Sequence, residues 1–224
     1  VPAGGDERHP TAPAELPTDP VGRRPTVDGV ARPFRQQVDE GILDRAAGLF
    51  ARRGVAKTSV QDVADAVGLS KAGLLHHFPT KDALAAAVAA QVDVLATRVL
   101  EELRGLPTGA ERDRRAVETM VDVALGHPGL VALLLAPAIQ ADPDPGAPSA
   151  DPALRVFVDE PETAAPERLV RVVGAYAALA VLTLAAHQQD RTTAWRRHIV
   201  ATCLDALGHR EPGAPRTAPD PNEA

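Results

Sequence analysis

The sequence predicts an all-α protein, and three observations predict it. Aromatic residues are only 3% of the chain against 45% hydrophobic overall, so the core must be built from Ala, Leu and Val. Ala and Leu favour helix over sheet. Apolar positions recur at steps of three and four, with no alternating strand, no hairpin turn between alternating flanks and no internal repeat. Seventeen of the 21 prolines gather in three stretches, seven in residues 1–33, six in 141–166 and four in 211–224. Each proline would cost a helix interior about 3 kcal/mol, so these stretches read as two tails and one internal loop. The expected organisation is a disordered tail over 1–33, an N-terminal helical head over 34–80, a helical domain over 81–209 and a disordered tail over 210–224.

Helix one is expected over about Arg35 to Arg53, with Ile42, Leu43, Ala46, Leu49 and Phe50 on one stripe and Gly54 as a left-handed cap. Ser59 reads as an N-cap and Asp62, three residues on, completes a capping-box pair. That opens a short second helix, Val60 to Val67, which Gly68 stops. Ser70 caps a third helix running to about His77. Pro79 and Thr80 close it and start a long fourth helix at Lys81, whose seam is Leu84, Val88, Val92, Leu95, Val99 and Leu103. Further helices fit about Ala110 to Leu125, Pro128 to Ile139, a short one near Leu154 to Val158, Pro166 to Gln189 and Thr193 to Leu207, with a linker over Ala141 to Pro152.

Charge sets bounds on partners. The formal net charge of -6 argues against nucleic-acid binding through bulk charge. Up to Asp82, however, eleven basic and eleven acidic residues cancel, so the acidic excess lies wholly beyond it. Between Arg45 and Lys81, six basic residues meet two acidic ones, and such a local basic patch is a better signal than the isoelectric point. Cys203 is the single cysteine, which excludes an internal disulfide and a multi-cysteine metal cage. No uncharged apolar run reaches the ~18–20 residues of a spanning helix, and Val1 to Pro20 shows no signal-peptide pattern. A soluble cytoplasmic protein with no membrane partner is the expectation. The stretch Leu169 to Ala186 carries one charge, Arg171, and is apolar nearly all round. Such a helix is buried on several sides, and a second copy of the chain is its natural cover.

Two short helices joined by Gly68, Leu69 and Ser70 have the spacing of a helix-turn-helix. At 100° per residue, Leu74 and Phe78 share the inner face of the third helix, toward Val63, Val67 and Phe50. Lys71, Ala72, Leu75 and His76 then point outward. The helix N-terminus brings unpaired N–H groups toward a phosphate backbone, and a helix about 10–12 Å across fits a major groove about 12 Å wide.

Those residues carry a family resemblance. The segments ILDRAAGLFARRG (Ile42–Gly54), TSVQDVADAVGLSKAGLLHHF (Thr58–Phe78) and PTKDAL (Pro79–Leu84) resemble the DNA-binding domain of the tetracycline-repressor (TetR) family of transcriptional regulators. The resemblance implies a helix-turn-helix head, a C-terminal ligand-binding and dimerisation domain, a homodimer and a double-stranded DNA operator. By position it implies that Thr58 and Ser59 touch phosphate, that Ser70, Lys71, Ala72 and Gly73 lie in or at the groove, and that His76 and Lys81 hold backbone phosphates. The family usually has Tyr where this chain has Leu75, which removes one phosphate hydrogen bond. Ala72 and Gly73 lack polar side chains, so readout there is limited to thymine methyls and DNA shape.

The function this implies is a repressor released from a near-palindromic operator by a small, largely apolar ligand, with no cofactor and no metal. The alternative is a DNA-organising or partner-binding member of the same fold without an effector; a closed, dry C-terminal core favours it, and a pocket of several hundred Å³ favours the regulator. Candidate pocket residues are Met120, Leu134, Phe157, Tyr176 and His187, though ordinary core packing also accounts for them. Candidate dimer-interface residues are Ala178, Leu182, Trp195 and Ile199. His76 and His77 point about 100° apart on a helix and have no third ligand near them, which disfavours a metal site. No nucleophile-elbow, Walker, dinucleotide-binding or zinc-protease motif is present, so the chain does not read as an enzyme.

Overall fold

Helix propensity and capping chemistry together lay out the chain seen in the computed structural model, which describes residues 27–139, 156–158 and 164–209, the side chains of 27–35 and 138–139 excepted. The expected C-terminal tail and the linker over 141–152 lie outside the described residues. The chain divides into two units, residues 1–36 and 37–224. The described part of the first is helical, so α1 (Val27–Lys57) starts upstream of Arg35 and takes in the end of the expected N-terminal tail. In the second unit follow α2 (Val60–Val67), α3 (Lys71–His77), α4 (Lys81–Glu102), α5 (Ala110–Gly126), α6 (Pro128–Ile139), α7 (Pro166–Gln188) and α8 (Thr192–Leu207). No strand occurs among the described residues. Of the short helix expected near Leu154 to Val158, the described residues Val156 to Val158 form a turn.

The caps behave as their side chains require. α1 breaks at Gly54, whose φ of 77° favours glycine but whose ψ of 156° is extended, not the left-handed cap expected there. Ser59 accepts the Asp62 N–H at 3.1 Å while its own N–H donates to Asp62 Oδ2 at 2.8 Å, closing the capping box on α2. These Ser59 hydrogen bonds hold the Asp62 carboxyl below its usual range. Gly68 ends α2 in the left-handed conformation at φ 71° and ψ 24°. Thr80 accepts the Ala83 N–H at 3.0 Å and starts α4.

Two buried cores result. The first joins Phe50 of α1, Val63 of α2, Leu74 of α3 and Leu84 and Val88 of α4, and continues to Leu130 and Leu133 of α6. The second joins Val99 and Leu103 of α4 to Val117 of α5, Val172 of α7 and Ile199 and Cys203 of α8. The change of core falls within α4, between Leu95 and Val99, rather than at its start. Burial pushes the Cys203 thiol up to about 12, so it is a small buried hydrophobe and not a thiolate. By length and composition, α4 and α7 are apolar enough to cross a membrane, although each carries charged residues and neither is an uncharged apolar run of the kind the sequence lacks. In this fold each lays an apolar stripe into the cores.

One contact fastens the head to the rest. Asp44 Oδ1 on α1 accepts the N–H groups of Gly129 at 2.8 Å and Leu130 at 3.0 Å, capping the start of α6 from a helix far away in sequence. A Cβ on Gly129 would overlap the Asp44 backbone carbonyl, so only glycine permits the approach. Burial raises the Asp44 carboxyl above its usual range, outweighing the two N–H donors and the charges of His127 and Arg45.

Gly129→Ala should destabilise the fold by about 1–3 kcal/mol or more. Gly41→Ala, where a Cβ meets nothing within 4 Å, should be neutral or stabilise by up to about 1 kcal/mol. Urea unfolding of the two variants distinguishes them. Because the folded Asp44 pKa is raised, its stabilising contribution is full below the ordinary 3.8 and is lost as pH rises through the folded value. Asp44→Asn keeps an oxygen acceptor without the charge. Its stability relative to the parent should therefore rise as pH is raised from 3.8 toward neutral in a denaturation series.

Candidate nucleic-acid interface

A seven-residue helix is too short to hold itself in water, and α3 is held from three sides. Leu74 is 1% exposed in the first core. Ser70 accepts the Gly73 N–H at 3.0 Å, and the Phe78 N–H donates to Leu74 O at 2.9 Å. His77 Nδ1 lies 2.6 Å from Asp39 Oδ1 on α1. The other side of α3 is open. Lys71, Ala72 and His76 are exposed, Gly73 and Leu75 are half-buried, and Lys71 and His76 have no ionic partner among the described residues.

The structure places the remaining expected contacts differently. Thr58 is 1% exposed and its hydroxyl donates to Gly54 O at 2.9 Å, so it stitches the break in α1 and is closed to phosphate. Ser59 is exposed, but its hydroxyl and N–H are both engaged by Asp62. Ser70 spends its hydroxyl on the cap of α3. Lys81 is half-buried, and Nζ donates to the carbonyls of Val55 at 3.1 Å and Ala56 at 3.3 Å. Its role is to clamp the end of α1 against the start of α4. Arg53, which sequence reasoning did not single out, lies beside α2 with Nη1 3.2 Å from Asp62 Oδ1.

Between α4, α5, α6 and α7 lies a cavity of about 80 Å³. Met120, Leu134 and Tyr176 line it, together with Val92, His127 and Leu130. Burial pushes the Tyr176 phenol up to about 12, so it stays a neutral donor. Phe157 and His187 are placed elsewhere: the Phe157 carbonyl accepts from Arg168 at 3.3 Å, and His187 Nε2 lies 2.8 Å from Leu125 O. His127 is not among the residues that the sequence singles out. Its position before Pro128 gave no sign that the ring would border a cavity.

Comparison with known proteins bears on this head. The family described as "Bacterial regulatory proteins, tetR family" matches residues 42–88. Residues 42–88 are thus similar in sequence to members of that family. The match begins inside α1 and ends inside α4, so it spans α2 and α3 whole and the adjoining parts of the two helices that support them. Over 64 residues the chain is 41% identical to the HTH-type transcriptional repressor KstR2 of Rhodococcus jostii (strain RHA1), covering 29% of this chain and 28% of that protein. Over 78 residues it is 38% identical to the HTH-type transcriptional repressor Rv3405c of Mycobacterium tuberculosis (strain ATCC 25618 / H37Rv), covering 34% of this chain and 42% of that one. The chain thus spans less than half the length of either relative. A solved structure, the TetR family transcriptional regulator PfmR from Thermus thermophilus, aligns over 77% of this chain and 96% of its own at 23% identity and a TM-score of 0.45. Each of these proteins is named as a transcriptional repressor or regulator.

Proposed function

We propose that the chain is a homodimeric transcriptional repressor that inserts α3 of each protomer into the major groove of a near-palindromic operator. The observation that carries this reading is the open outer side of α3, where Lys71 and His76 have no ionic partner among the described residues while Leu74 is locked into the core. Two recognition helices one helical turn of DNA apart require a two-fold symmetric site. Footprinting of the full chain on DNA flanking its own coding region tests the proposal: a protected palindrome supports it, and uniform, sequence-independent protection overturns it.

The partner for a second copy is the outward side of α7. Val170 is 71%, Val173 47% and Val181 53% exposed, with Gly174 and Ala177 exposed between them. These residues recur at helical spacing on one apolar stripe. The stripe revises the face read from sequence. Ile199 is 2% exposed inside the protomer, and Ala178, Leu182 and Trp195 are half-buried against the second core. One residue along a helix is a turn of about 100°, enough to exchange the inner side for the outer.

One observation favours the effector-free alternative. The cavity of about 80 Å³ is well below the ~300–1,000 Å³ of small-molecule sites. A ligand of that class fits only if the helices lining the cavity move apart. Release of the operator complex by a metabolite extract decides for the effector; operator binding unmoved by any such fraction decides for the alternative.

Lys71→Ala should weaken binding on every DNA sequence and reduce the slope of log affinity against log salt by about 1. Lys81→Ala, whose ammonium is committed to carbonyls, should leave that slope unchanged and lower thermal stability instead. Affinity measured across a salt series checks both. Val181→Asp should convert dimer to monomer in sedimentation, whereas Ile199→Val should leave the dimer intact.

A further inference from the structure

The outer side of α3 is apolar where it would meet base edges. Ala72 is exposed, and Leu75 lies one turn along the same face, half-buried and belonging to neither core. Nothing polar stands between them. The Ser70 hydroxyl is taken by the Gly73 N–H at 3.0 Å. Gly73 has no side chain, and a Cβ there would sit 3.3 Å from Ser70 Oγ, tighter than most such contacts. His77 is turned inward onto Asp39. The charged or polar groups left on this helix, Lys71 and His76, flank the apolar pair and suit phosphates, which position a protein without carrying sequence.

In the major groove every base pair offers hydrogen-bonding atoms, but only thymine offers an apolar group, its C5 methyl. An alanine or leucine methyl pressed onto N7, O6 or an amino group displaces water and returns no hydrogen bond, which is unfavourable. Pressed onto a thymine methyl, it buries apolar surface on both sides. We infer that Ala72 and Leu75 read the operator through thymine methyl groups, so that each half-site carries thymine where these two side chains touch. The inference rests on the proposal that α3 occupies the groove.

The test separates the two. The full chain selects its site from a random duplex library, and each thymine of the recovered half-site is then replaced singly by deoxyuridine, which removes the methyl and leaves the pairing atoms unchanged. Affinity should fall about fourfold at the contacted thymines, the effect of one buried methyl, and stay within twofold at the others. For the thymine that Leu75 touches, Leu75→Ala should shrink the loss to less than twofold. If every deoxyuridine duplex binds within twofold of the parent, methyl reading is overturned and specific DNA binding stands. If the loss keeps its size in both Leu75→Ala and Ala72→Gly, it comes from the duplex's own bending and the inference is likewise overturned. If no sequence is enriched at all, the groove reading falls and this inference with it. The deoxyuridine series uses the unaltered protein, so it holds even where a variant folds poorly.

Discussion

The burial of Leu74 is the constraint on which the head depends. A helix of seven residues has too few internal hydrogen bonds to repay its nucleation, so α3 exists because its one fully buried side chain enters a core made by α1, α2 and α4. Once Leu74 is fixed, the 100° step fixes everything else on the helix: Lys71, Ala72 and His76 must face out, and His77 must face Asp39. Caps at both ends remove the remaining freedom. The open outer side of α3 is thus a consequence of packing on its opposite side, and its chemistry can vary without disturbing the scaffold.

The same economy joins the head to the helices beyond it. α6 contributes Leu130 and Leu133 to the core that holds Leu74, while Leu130 and Leu134 also face the cavity. Its first turn is capped from α1 by Asp44, at a spacing so close that residue 129 must lack a side chain. α4 spans both cores in the same way, with Val92 in the first and Val99 in the second, both on the cavity wall. The cavity and the head's own core therefore share walls. This is a contiguous path of packed side chains, and Asp44 is its polar anchor. The carboxyl is held there at a cost in desolvation, which its two N–H donors only partly offset.

A second carboxylate organises the other core. Asp113, 4% exposed at the start of α5, takes Arg168 of α7 at 2.8 Å and His209 beyond α8 at 2.6 Å. Both oxygens are engaged, so a buried charge is paired and hydrogen-bonded as it must be. With α5, α7 and the end of α8 tied at this point, the apolar stripe on α7 is left exposed.

Sequence by itself determined the helical class, the order of the helices and the inner and outer sides of α3. Local chemistry suffices for those: Ser, Thr and Gly at the caps, prolines at the seams, and Leu74 and Phe78 at helical spacing. Three-dimensional structure alone decided which polar groups stay free. The Thr58 hydroxyl and the Lys81 ammonium have no evident partner in the sequence, but both donate to backbone carbonyls where α1 breaks at Gly54. Thr58 donates to Gly54 and Lys81 to Val55 and Ala56, and Lys81 meets its acceptors only once the start of α4 is folded against the end of α1. It also decided the faces of α7 and α8. Alanines and valines surround these helices so evenly that no stripe stands out, and the choice between Leu182 and Val181 as the outward residue was made by what packs against them. The bond from Asp44 to α6 lies in the same class, because a carboxylate and a helix start separated by so much chain share no local signal.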